Sequence, residues 1–170
     1  MIALWAIPVW TAESKIAAAD ATGATGRHAD AMTLAREAIA ASPVPNPEYP
    51  RRALRWTQTT PPGEVLALMG QIVDADPGNP QGWLNRARVQ IRMNAPPNAT
   101  ASDFARAAAL NPNDASIRIE YAAFLDTVGR PDDAAEQIRL ALDANDQLNP
   151  DEPRRLPVAQ VEELKTRLKR

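Results

Sequence analysis

The chain has 170 residues, 45% of them hydrophobic but only 5% aromatic, with one His and no Cys; its net charge is −2 and its pI about 5.5. That length fits one ordinary domain or a short solenoid, and the lack of Cys excludes disulfides, thiolate chemistry and, with a single His, the common zinc ligand sets. The 19 basic and 21 acidic residues are interspersed along the chain, which argues against nucleic acid as a partner, since that would call for a basic surplus on one face.

Ala fills much of the apolar share, and runs of β-branched residues alternating with polar ones are missing. The chain therefore reads as all-α. Residues 1–11 form an apolar N-terminal segment in which Ile2–Trp10 carries no charge and is interrupted by Pro8. It is shorter than the roughly 20 apolar residues a bilayer span needs, and it lacks the basic start of a secretion signal. Two readings stand: a core-packing first helix or strap, and the outer end of a membrane helix, hence a membrane tether. The first charges, Glu13 and Lys15, form no basic cluster, which on the second reading favours the extracytoplasmic side.

Helical hairpins are expected at about 12–42, 48–76, 80–110 and 114–145. Asn79-Pro80 and Arg130-Pro131 put Pro where a first helical turn tolerates it. Asp114 suits an N-cap, Gly129 supplies left-handed geometry at a helix end, and Pro50 should shorten the first helix of the second hairpin. After Leu148 comes a Pro-rich charged connector, NPDEPRRLP, then a helix over residues 158–170. Its stripe of Val158, Val161, Leu164 and Leu168 suits a cap over the last exposed apolar surface.

The segments repeat. Ala19, Ala53, Ala87 and Ala122 recur at intervals of 34, 34 and 35 residues; Ala38, Ile72, Ala107 and Ala141, like Ala35, Met69, Phe104 and Ile138, recur at 34, 35 and 34. Gly26 and Gly129 lie 103 apart, the sum of three such periods. The one extra residue falls between Ala87 and Phe104, an interval containing the loop-like NAPPNA, and loops tolerate length changes. AIAASP, IVDADP and AAALNP close three copies at Pro43, Pro77 and Pro112.

A large residue early, a small one in mid-helix, a Gly turn, a small, a large and another small residue in the second helix, and a closing Pro: this pattern resembles the tetratricopeptide-repeat (TPR) family over about Ala12–Leu148. Ala122, Leu125, Gly129, Ala134, Ile138 and Ala141 carry it in the fourth copy. The second copy departs most, with Thr60-Pro61-Pro62-Gly63 in place of the usual turn. The resemblance implies a right-handed α-solenoid of about four TPR-like hairpins, at about 12–45, 46–79, 80–114 and 115–148, with residues 149–170 as connector and capping helix. One hairpin cannot bury its own apolar face, whereas stacked copies bury each other's.

No catalytic constellation is visible, so no enzyme, cofactor or metal is expected of this segment. His28 reads as an exposed helix-start residue. Ser14, Ser42, Ser102 and Ser116 sit in no nucleophile-elbow or Walker-type sequence. The paired carboxylates at Asp132 and Asp133, Asp151 and Glu152, and Glu162 and Glu163 are neighbours in sequence, which do not face each other on a helix.

The TPR resemblance implies instead a protein-interaction scaffold that binds a peptide or helix in a groove lined by the first helices of successive hairpins. Here that groove would include Arg51, Leu54, Asn85, Arg88, Arg92, Glu120, Ala123 and Asp126. Arg88 and Arg92, four apart, could fork onto a partner's carboxylate or pair with nearby acids. The Lys/Asn clamp of chaperone-tail binders is not matched: its slots hold Ile16, Pro50, Leu84 and Ile119, and Asp20, Leu54, Arg88 and Ala123. A second resemblance rests on the uncharged N-terminal helix end and the NPDEPRRLP connector. Both are similar to the soluble C-terminal repeat region of bacterial O-antigen ligase or polymerase-like membrane proteins, which would make this the extracytoplasmic part of a glycan enzyme.

Overall fold

A computed structural model describes residues 3–169; Met1, Ile2, Arg170 and the side chains of residues 3–7 and 59, including much of the apolar N-terminal run, lie outside the described residues. Among the described residues there are nine α-helices and no strand: α1 (Ala3–Ala24), α2 (His28–Ala41), α3 (Glu48–Ala53), α4 (Pro62–Ala75), α5 (Pro80–Arg92), α6 (Pro97–Leu110), α7 (Ala115–Thr127), α8 (Pro131–Asp146) and α9 (Val158–Arg167). A 3₁₀ turn, Leu54–Thr59, follows α3. The chain divides into two compact units, Met1–Gly78 and Asn79–Arg170, each with its own core.

Local chemistry starts and stops these helices. The Asn79 and Asp114 side chains each accept the backbone N–H two residues on, at 3.0 Å, capping α5 and α7, and Pro80 and Pro131 open α5 and α8. Three turns carry positive φ: Gly26 (83°), Asn94 (50°) and Gly129 (73°). They occupy one repeat position, 68 and then 35 residues apart. Asn94 thus does the work of the turn glycine, because Asn is among the few residues that enter the left-handed region readily. The inserted residue is thereby confined to the stretch after Asn94.

In the first unit, α1–α4 pack through small side chains. Ala12, Ile16 and Ala19 of α1, Ala35 and Ala38 of α2 and Ala53 of α3 are fully buried, beside Met32, Tyr49 and Leu68. Helix α1 runs unbroken through position 11, with Pro8 inside it. The second hairpin differs from expectation in its reason. Pro50 sits in the first turn of α3, where it is tolerated, and the α-helix ends on its other side, at the 3₁₀ turn. There Trp56 leaves helical geometry (φ −112°, ψ 23°) and Thr60 is extended (φ −80°, ψ 131°), as a residue preceding Pro tends to be.

Trp56 fits against the buried Gly23 so closely that a Cβ there would lie 2.5 Å from its ring. It also stacks on His28, with ring centroids 5.6 Å apart and 16° between planes. His28 is therefore half-buried rather than exposed: its ring covers an indole brought up from 28 residues away.

The second unit stacks α5–α8 around Leu84, Ala87, Phe104, Ala107, Tyr121, Ala122, Leu125 and Ile138, with Phe104 stacked between Tyr121 (5.4 Å) and Phe124 (5.6 Å). Helix α9 adds Leu164 to this core, with Val161 and Leu168 packed against it. Val158, the first residue of the expected stripe, is 80% exposed, because the helix only starts there and the backbone arrives from Pro157. The connector is held by buried Asn145, whose Oδ1 accepts the Leu156 N–H at 2.7 Å, and by Arg155, which donates to the Leu148 carbonyl at 2.7 Å. All four repeat alanines, Ala19, Ala53, Ala87 and Ala122, have no exposed surface. The period read from the sequence is the period of the packing.

Candidate partner-binding face

The expected groove residues fall in both units. Arg51 and Leu54 belong to the first. Leu54 packs half-buried on the core cluster, and Arg51 of α3 donates to Asp76 Oδ2 at 3.2 Å, with Glu48 3.9 Å away. In the second unit, Asn85, Arg88, Arg92, Glu120, Ala123 and Asp126 stand on α5 and α7, the first helices of consecutive hairpins.

Three of them form one chain of hydrogen bonds. Gln81 Nε2 donates to Asn85 Oδ1 at 2.8 Å, Arg88 Nη1 donates to the same oxygen at 3.2 Å, and Arg88 forks onto Glu120 through Nε (2.8 Å) and Nη2 (2.5 Å). The fork holds the Arg88 guanidinium proton more tightly than usual, chiefly through the hydrogen bond to Glu120 and against the opposing effect of partial burial. With 42% and 37% of their side chains exposed, the two contribute no more than about 1 kcal/mol to stability. What the fork does is fix the surface: it ties α5 to α7 across one repeat. Arg92, one turn beyond Arg88, is exposed and has no ion-pair partner among the described residues. Asp126 is taken up by Arg167 of α9 and borders a cleft of about 510 Å³ with Asp132, Ile138, Arg139 and Leu168.

Sequence reasoning missed the polar cluster inside the α5/α6 hairpin. Asp103 of α6 is only 2% exposed and receives both arms of Arg86 at 2.7 Å, plus Gln90 Nε2 at 3.0 Å. Arg86 in turn lies over the Trp83 ring, 4.8 Å from its centroid. In the first unit Arg52 of α3 pairs with Asp20 of α1, and the Tyr49 hydroxyl donates to Glu13 at 2.8 Å. These pairs lie 17, 32 and 36 residues apart, intervals that correspond to no motif. On the first unit, Ile39, Val44, Pro45, Tyr49, Gln71 and Asp74 border a cleft of about 370 Å³. No group of three or more His, Asp or Glu side chains among the described residues is placed to hold a metal ion.

No protein-family model matches this sequence, and no curated protein does. Solved structures do match. A MamA protein superposes with a TM-score of 0.65 at 16% identity, covering 94% of this chain and 85% of its own. MamA from Desulfovibrio magneticus RS-1 gives 0.62 at 13% identity, over 83% and 78%. YrrB, described as a TPR protein with an unusual peptide-binding site, gives 0.61 at 14%, over 88% and 74%. At such identities the likeness speaks for the fold, and together with the 34-residue period and the buried alanines it gives this chain the helical-hairpin fold of the tetratricopeptide-repeat proteins.

Proposed function

We propose that this chain is a non-catalytic interaction module that holds an extended or helical segment of a partner protein against the faces of its first helices. The observation that carries this reading is the fork between Arg88 and Glu120, which joins α5 to α7 across 32 residues and leaves Arg92 as a neighbouring cation with no ion-pair partner among the described residues. Glu120 already neutralises Arg88, so the cation left for a ligand is Arg92, and the partner segment should bring a carboxylate to it. The peptide-binding TPR protein among the structural matches supports the same class of function.

The test is a peptide library displayed without bias and screened on the full chain, with Arg92→Glu and Arg139→Glu as the two variants. Arg139 lies on α8, a second helix, and is also exposed, paired with Glu136. Acidic peptides should be selected and should weaken about tenfold with Arg92→Glu, the size of one partly exposed charge-assisted pair. They should be indifferent to Arg139→Glu. Equal losses in both variants, or no acidic selection, would overturn the reading.

A further inference from the structure

We propose that the N-terminal end of α1 is a membrane-contact element that enters a bilayer end-on, up to about Trp10. The packed part of this helix begins at Ala12, which with Ile16 and Ala19 has no exposed surface. Just before it, Val9 is 43% and Trp10 73% exposed. From Ala3 to Ala12 the helix carries no charged residue, and from Glu13 onward charges appear. Polarity therefore changes along the helix axis rather than around it. A helix that docks sideways in a protein groove, or lies flat on a membrane, shows an apolar stripe opposed by a polar face. An axial change instead matches a boundary that crosses the helix, as a lipid surface does.

No helix among the described residues is long and apolar enough to cross a membrane. Trp10 stands where an indole is favoured, at the level between acyl chains and headgroups. The first charges beyond it are already engaged in the folded body: Glu13 by the Tyr49 hydroxyl and Lys15 by Glu37. The charges nearest the boundary are thus neutralised within the folded body, so the attraction is apolar and indifferent to salt.

The experiment is flotation of the full chain with vesicles of pure phosphatidylcholine, at low and high NaCl, alongside Trp10→Glu. The chain should float with the vesicles equally at both salt concentrations. Trp10→Glu should lower the partition coefficient at least about tenfold, as a charge at membrane depth does, with an unchanged thermal melt in lipid-free buffer because Trp10 is 73% exposed. Absence of flotation in lipid excess, or equal flotation of the variant, would overturn the proposal. So would a lipid-independent dimer that Trp10→Glu dissociates in sedimentation velocity, since a second copy would then cover the patch. Peptide selection through Arg92 is untouched by Trp10→Glu, so the two readings fail separately.

Discussion

Two side chains show how far a single residue's setting departs from its type. Asp103 is a charge with 3% of its side chain exposed, acceptable only because Arg86 and Gln90 give it three hydrogen bonds. Truncating it removes the acceptor of both arms of Arg86 and of Gln90, so Asp103→Ala should cost about 3 kcal/mol in urea unfolding. The Arg86→Met/Asp103→Leu double variant should recover more than half of that, because a buried pair replaced by apolar groups of similar volume is often neutral. Gly23 is the opposite case, a residue whose lack of a side chain is used. Gly→Ala inside a helix ordinarily gains up to about 1 kcal/mol, but here the new methyl would meet the Trp56 ring. Gly23→Ala should therefore lower the thermal midpoint, and a smaller residue at position 56 should reverse the sign.

At the scale of elements, turns and the closing helix decide where hairpins begin and end. Gly129→Ala puts a Cβ into the left-handed region and should cost about 1–2 kcal/mol, whereas Asn94→Gly at the equivalent turn should be neutral or slightly stabilising. Residues of one stripe on α9 should respond unequally. Leu164→Ala removes a side chain that is 3% exposed and should cost about 2–5 kcal/mol. Val158→Ala, at 80% exposure, should stay within about 0.5 kcal/mol. Denaturant midpoints of the two variants check this directly. The sequence stripe marked both residues alike, since periodicity reports the face of a helix and not where along its length the covering surface stops.

Across the whole molecule the two tyrosines give a global readout of packing. Tyr49 and Tyr121 both have raised pKa values, in each case chiefly by burial, with the hydrogen bond to Glu13 adding to the shift at Tyr49. A raised phenol favours the neutral form in the folded state, so its contribution to stability is intact below about pH 10 and is lost as pH rises through the folded value. Tyrosinate absorbance at 295 nm should therefore appear above the ordinary range in the native chain and return to about 10 in denaturant. Coincident midpoints would mean that neither hydroxyl is shielded.

The all-helical class, the period near 34 residues, the proline opening of α5, the capping of α7 and the inward alanines were all determined by sequence, because each depends on local chemistry or on a small side chain recurring in phase. The insertion and the degenerate second turn were also legible, as departures from that phase. Tertiary structure alone decided which charges meet. Arg88 belongs to Glu120, Asp126 to Arg167 and Asp103 to Arg86, while His28 belongs to Trp56. Partners on different helices are chosen by the distance and rotation at which those helices pack, and neither quantity is written into residue spacing. Hence, of the expected polar groove residues, Arg51, Asn85, Arg88, Glu120 and Asp126 are engaged and Arg92 has no ion-pair partner among the described residues, while Leu54 packs on the core, a distinction no reading of the chain in one dimension could make.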